Sequence, residues 1–207
     1  MPTRGGEISA DERPVTQLRT IGVAVAIPPP WAGELQRCRE SFGDPQAASI
    51  PTHVTLLPPT TIDERTLPEV EEHLRKIADD EQVFAMELLG TASFLPVSPV
   101  VFVELLAGGG ECTRIEEKVR SGPLHRSVDF AFHPHVTIAH DLPPETLEQA
   151  RLALADYSAS FDVCGFSLYE HVDGIWRPIQ AFSFPTDSPD PPPPPPGVIM
   201  QVVTLPP

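Results

Sequence analysis

Two tetrapeptides govern the reading of this chain: His53-Val54-Thr55-Leu56 and His135-Val136-Thr137-Ile138. They stand 82 positions apart, too far to be a local duplication. With 7 His and 14 Thr in 207 residues, a lone His-x-Thr is expected about half a time by chance. Requiring Val between and Leu or Ile after lowers the expectation to roughly one in a hundred per chain, so two copies need a physical reason.

Strand geometry supplies one. Successive side chains of a strand point to opposite faces. His53 and Thr55 therefore share one face, and Val54 and Leu56 the other; the second copy repeats the division. Each peptide turns an apolar face to a core and an imidazole with a hydroxyl to the opposite side. If two lobes bring those polar faces together, two His and two Thr converge in one cleft.

The flanking sequence fits two such lobes. Ile21–Ile27 is a β-branched run stopped by prolines and reads as a strand. Trp31, Leu35, Cys38 and Phe42 mark one face of a helix. A strand over His53–Leu57 is closed by Pro58-Pro59, and Asp63 caps a helix to Asp79 with Leu67, Val70, Leu74 and Ile77 inward. Strands follow over Val83–Leu89, Ala92–Leu95 and Val100–Leu106, then a glycine triplet and a helix over Glu111–Arg120. Phe132–His140 reads as a strand and Pro144–Tyr157 as a helix. Phe161–His171 and Ile175–Phe184 form a hairpin around Asp173-Gly174. The fold class expected is α+β, two antiparallel-sheet lobes with outer helices around a central cleft.

Composition sets the boundaries. Residues 1–15 read as a flexible N-terminal arm and 16–186 as the folded domain. Ten of the 27 prolines fall in Pro185–Pro207, with an unbroken run from Pro191 to Pro196. Residues 187–207 therefore read as a Pro-rich tail, a polyproline II rod open to a proline-recognition domain. The net charge is −15, from 14 basic and 29 acidic residues, and no Lys/Arg cluster offsets it. That disfavours DNA and long RNA as partners and leaves a small anionic ligand in a cleft. No apolar run nears the ~20 residues that cross a bilayer. Glu7, Asp11, Glu12 and Pro14 stand where a secretory leader would be basic and then apolar. Three widely spaced cysteines form neither a disulfide framework nor a zinc site. A cytoplasmic monomer is expected.

Paired imidazoles suit phosphodiester chemistry. One neutral ring takes a proton from water while a second, protonated ring gives one to the leaving oxygen, and a pKa of about 6.5 makes both forms accessible near neutrality. Threonine hydroxyls donate to non-bridging phosphate oxygens. The scheme needs neither metal nor cofactor.

At these residues the sequence resembles the 2H phosphoesterase superfamily, in particular its 2′-5′ RNA ligase-like, 2′,3′-cyclic phosphodiesterase branch. The resemblance spans about residues 16–186. It implies a bilobal fold with pseudo-two-fold symmetry, His53 and His135 as the catalytic pair, and Thr55 and Thr137 as phosphate ligands. It further implies His53 as the acid that protonates the leaving ribose oxygen and His135 as the base that activates water. Leu89-Gly90-Thr91-Ala92-Ser93-Phe94 is similar to a family segment whose aromatic ring lies near the nucleotide, which makes Phe94 the candidate stacking residue. Many members carry Arg where this chain has His140, a weaker and titratable phosphate partner. The substrate implied is a 2′,3′-cyclic phosphate at a short RNA end or a small cyclic nucleotide derivative.

Other readings compete. A single strand histidine beside a threonine is ordinarily structural; only the matched pair favours chemistry. The same cleft would also serve a non-catalytic nucleotide or RNA-end binding module. His133 shares the face of His135, and with His140 the two could be read as zinc ligands, although simple alternation puts His140 on the opposite face. His133 reads better as a rim residue. His73, His125 and His171 read as surface residues, Trp31 and Trp176 as packing residues, and Tyr169 as a packing residue that could instead line the cleft.

Overall fold

The apolar run near the N-terminus becomes β1 (Leu18–Ala26), in which Ile21, Val23 and Val25 are buried. The computed structural model describes residues 17–127 and 130–186. The N-terminal arm and the Pro-rich tail lie outside the described residues. Helix α1 (Trp31–Phe42) has the bounds its apolar spacing predicts, with Leu35 fully buried.

β2 (His53–Asp63) continues through Pro58-Pro59 instead of stopping there. Its pairing with β1 steps from Val23↔Leu57 to Ile21↔Thr60. The prolines thus sit in a break of the ladder, where no N–H is required of them. Asp63 accepts from the Arg65 backbone N–H at 3.0 Å and caps one 3-10 turn that leads into α2 (Leu67–Asp79). Val70, Leu74 and Ile77 of α2 point inward as their spacing predicts.

β3 (Phe84–Ser93) is one strand where the sequence suggested two. Its pairing steps from Leu88↔Leu105 to Thr91↔Val103, and Gly90 (φ 64°) takes up the extra residue. After β4 (Val100–Ala107) and α3 (Gly109–Val119), β5 spans only His135–His140. It starts later than expected, just after Pro134, a residue with no N–H to give a ladder. Helix α4 (Pro144–Ala153) ends ahead of Tyr157. The expected strand over Phe161–His171 breaks at Cys164 into β6 (Ser158–Val163) and β7 (Gly165–Val172). β8 (Ile175–Ser183) closes the hairpin, with Asp173 and Gly174 both at positive φ.

The strands form one antiparallel sheet in the order β6-β3-β4-β5-β2-β1-β7-β8. Its halves, β2-β1-β7-β8 and β5-β4-β3-β6, meet through a single registered pair, Val54↔Val136. The order β-α-β-α occurs twice, as β1-α1-β2-α2 and β4-α3-β5-α4. The connecting helices cross over: α1 packs on β5 and α4, and α3 on β2 and α2. Each half is therefore clasped by a helix of the other, and Leu35, Leu74, Ile115 and Ile138 belong to one hydrophobic core.

Ile138 is fully buried at the joint, whereas Leu106 is 64% exposed. We expect Ile138→Ala to lower unfolding free energy in urea by about 2–5 kcal/mol, and Leu106→Ala by less than about 0.5 kcal/mol.

Candidate active site

The two motif strands lie side by side at the joint. Because Val54 faces Val136 in antiparallel register, His53 falls opposite Thr137 and Thr55 opposite His135. Val54 and Val136 are fully buried, while the two His and two Thr are half-buried on the other face. The structure thus brings all four motif residues together across a local two-fold.

A bulge repeats with the same symmetry. Pairing steps from Val23↔Leu57 to Ala24↔Thr55 in one half and from Val101↔Ala139 to Phe102↔Thr137 in the other. The extra residues are Leu56 and Ile138. Leu56-Leu57 and Ile138-Ala139 are consequently buried as consecutive pairs, which reverses the alternation beyond them. This overturns the parity reading of His140: the bulge returns its side chain to the Thr137 side, where both line one pocket.

Each motif imidazole is anchored the same way. His53 Nδ1 lies 2.7 Å from the Pro51 carbonyl oxygen, and His135 Nδ1 lies 2.7 Å from that of His133. A carbonyl oxygen only accepts, so Nδ1 of both rings carries the proton and Nε2 is the exchangeable position. Nε2 of His53 accepts from the Thr55 hydroxyl at 3.0 Å. Burial is the main force on both groups: it pushes His53 down to about 4 and His135 below its ordinary 6.5, against the supporting carbonyl bonds. The nearby Arg39 charge and the second imidazole lower His53 further.

Two pockets meet at Thr55. The smaller, about 290 Å³, is lined by His53, Thr55, Thr137, His140, Arg39 and Trp176, among others. The larger, about 600 Å³, is mostly apolar and contains Phe94, Phe132, His133, His135 and Glu116. Phe94 sits edge-on to His135 at 4.9 Å and packs on Phe102 at 4.4 Å, which places its ring beside the second motif. His133 is exposed on the rim, 6.4 Å from the His135 ring centre. His140 lies 3.3 Å from the Asp141 carboxylate. Among the described residues, no group of three or more His, Cys, Asp or Glu side chains is placed to hold a metal ion.

Several residues at the site escaped the sequence reading. Arg39 is buried in α1, where its Nε donates to Asp44 at 3.1 Å and its Nη1 to the Ile50 carbonyl at 3.0 Å. An arginine inside an amphipathic helix reads as surface charge, and only Asp44, past the helix end, hinted at a buried pair. Trp176, expected to be a packing residue, lines the smaller pocket, and Tyr169 is buried in the core as expected while also reaching that pocket. Trp31 does pack, against Phe161 at 5.2 Å. His73 is half-buried and donates from Nε2 to the Lys118 carbonyl, joining α2 to α3, so it is not a free surface group. His125 and His171 are exposed as expected.

A duplicated His-x-Thr motif at the joint of a pseudo-symmetric antiparallel α+β fold is the signature of the 2H phosphoesterases. Residues 27–175 match the family model of the 2′-5′ RNA ligase superfamily, and the chain belongs to that family. A candidate phosphoesterase of Geobacillus sp. (strain WCH70) is 29% identical over 143 residues, which is 67% of this chain and 82% of that protein. One from Bacillus cytotoxicus is 33% identical over 144 residues, with the same shares covered. Among solved structures, one described as a phosphoesterase superposes with a TM-score of 0.59 at 18% identity, over 82% of this chain and 100% of that one. E. coli LigT in apo form gives 0.58 at 19% identity, over 83% and 100%. No helix among the described residues is long and apolar enough to cross a membrane.

The depressed His53 predicts acid sensitivity. Unfolding restores an ordinary pKa of 6.5, so the unfolded chain binds the extra proton between pH 6.5 and about 4. The stability held by neutral His53 is complete above pH 6.5 and declines as pH falls through that window, at up to about 1.4 kcal/mol per pH unit. Urea titrations at pH 7 and pH 5 check this: the loss on acidification is smaller in His53→Gln than in the native sequence.

Proposed function

We propose that this phosphoesterase hydrolyses cyclic phosphodiesters, at 2′,3′-cyclic phosphate RNA ends or in small cyclic nucleotides, by two-histidine acid–base catalysis. The observation that carries this reading is the matched pair of imidazoles, each with Nδ1 tied to a backbone carbonyl and Nε2 left to exchange protons, flanking interleaved threonines. Water attacks phosphorus, and Nε2 of one ring takes its proton. The bond from phosphorus to the departing ribose oxygen breaks, and the other imidazolium protonates that oxygen. The ring opens to a phosphomonoester. Thr55 and Thr137 donate to the non-bridging oxygens, where charge accumulates in the transition state. Phe94 offers an edge of the apolar pocket to the base, with His133 at its rim, and the His140 imidazole stands with Thr137 in the pocket on the other side of Thr55.

Family resemblance makes His53 the acid and His135 the base. In the substrate-free site both rings are neutral at pH 7, so the bound phosphate anion must raise the acid before it can work. The rate profile should register this. kcat/KM, which reports the free protein, is expected to peak below pH 6.5, and kcat, which reports the complex, at higher pH. Coinciding maxima would remove the anion's part in charging the acid.

Replacement of either His53 or His135 by Ala should lower kcat for 2′,3′-cyclic AMP by about 10²–10⁴-fold, with EDTA leaving the native rate unchanged. Phosphorus NMR of the product checks the reaction directly. An ester with a good leaving group, such as a nitrophenyl phosphodiester, needs no acid, so it should restore turnover to His53→Ala and not to His135→Ala. Full activity of both variants on the cyclic nucleotide would end the two-histidine scheme.

A further inference from the structure

We propose that Arg39 is a positioning residue for His53: its guanidinium fixes the peptide ahead of Pro51, and through it the carbonyl that orients the imidazole. The inference rests on reading His53 as the acid of the proposed hydrolysis. His53 Nδ1 lies 2.7 Å from the Pro51 carbonyl oxygen, so the ring stands where that carbonyl points. Pro51 has no N–H, so no hydrogen bond from its own nitrogen can orient it. It lies in segment 43–52 between α1 and β2, which belongs to neither a helix nor a strand. The carbonyl therefore needs a constraint from outside.

Arg39 supplies it. Its Nη1 donates to the Ile50 carbonyl at 3.0 Å. That oxygen and the Pro51 nitrogen belong to one planar peptide, and the pyrrolidine ring locks φ of Pro51. Only ψ of Pro51 is left to turn between the guanidinium and the carbonyl that holds His53. The guanidinium is itself held: Nε donates to Asp44 at 3.1 Å, and both side chains of that pair are buried. The other Asp44 oxygen accepts from the Gln46 backbone N–H at 2.9 Å. Gln36 Nε2 donates to the Ala47 carbonyl at 2.6 Å and the Trp176 backbone N–H to that of Ser49 at 2.9 Å, which fastens the rest of the segment. A buried ion pair adds little stability of its own, since apolar residues of similar volume often serve as well. What this one adds is placement. The other half is braced less tightly: Arg120, paired with the buried Glu116, reaches only the Arg126 carbonyl at 3.4 Å, well ahead of the His133 carbonyl that anchors His135. The asymmetry suits unlike tasks, because an acid must meet one fixed leaving oxygen whereas a water molecule can adjust to the base.

Nitrogen-15 NMR of the full chain at pH 7 is expected to show His53 as a single Nδ1–H tautomer, its signal assigned by its loss in His53→Gln. The double variant Arg39→Met, Asp44→Asn removes both charges together, so neither is left buried alone. It is expected to show His53 as a mixture of the two tautomers. Its kcat for 2′,3′-cyclic AMP should fall about ten- to hundred-fold with KM within about two-fold. Its kcat for the nitrophenyl phosphodiester, which needs no acid, should stay within about two-fold. Circular dichroism gives the folded fraction to which the rates are referred. Where the double variant does not fold, Arg39→Lys puts a point charge in place of the fork and is expected to show the same changes in smaller degree. A single Nδ1–H tautomer in the folded variant, or equal loss on the two esters, would overturn the brace. If the native chain hydrolyses neither compound, the acid–base reading falls alone, and a tautomer mixture in the variant would still support Arg39 as the group that sets the ring.

Discussion

The architecture depends on one contact between two strand edges. Val54 and Val136 pair at the joint of two four-strand half-sheets, and both valines are buried to completion. Their pairing fixes everything one residue to either side, because a slip by one would turn the imidazoles and hydroxyls into the core and the valines outward. The hydrophobic requirement of the core face therefore sets the register of the polar face. Exchange of α1 and α3 between the halves reinforces the joint, since neither half can separate without uncovering a helix that packs on it.

From that register the local chemistry follows with few further choices. A histidine opening each strand finds a carbonyl two residues earlier within 2.7 Å of Nδ1, so the backbone itself selects the tautomer. The duplicated bulge at Leu56 and Ile138 then turns the next positions back toward the groove. In one half that position is His140, in the other Pro58, and each lines a different pocket. A symmetric frame is thereby given unlike walls: a buried guanidinium beside His53, and the buried Glu116 carboxylate, bonded to Arg120 at 2.6 Å, in the pocket of His135.

How much of this was legible in the sequence can be traced residue by residue. Alternation alone located His53, Thr55, His135 and Thr137 on one face, and the 3-4 spacing of apolar residues gave α1 and the inner face of α2. Bulges escaped it. Nothing in Leu56-Leu57 or Ile138-Ala139 differs in type from an ordinary buried run, so the inverted parity of His140 becomes visible only through the partner strands. Pro58-Pro59 reads as a strand end because a proline cannot donate, whereas the ladder is interrupted around it and resumes. Arg39 and Trp176 were missed for a related reason. Their roles come from contacts with loop 43–52 and with Gly22, which are distant in sequence or carry no side-chain signal.

If this strongly acidic chain takes a phosphate as proposed, the attraction must come from the groove itself. A net charge of −15 repels an extended polyanion at long range, but over about 8–10 Å that repulsion is screened at physiological salt, and what remains is the composition of the groove. There the groups that carry or can take up positive charge are few and held fast: Arg39 by Asp44 and the Ile50 carbonyl, and the neutral histidines by their carbonyl anchors. Because Arg39 is paired with a buried carboxylate, its charge biases the small pocket without making it a general anion trap. Burial and the Arg39 charge hold the His53 imidazole neutral beside it, and an anion between the two rings would offset both. On the proposed mechanism binding and activation would be coupled through that one event, since a phosphate in the groove would also be the charge that favours an imidazolium there. On the proposed function, such a site would favour a phosphate small enough to enter and flanked by groups that fit the pockets, and the surrounding acidity would disfavour long polyanions.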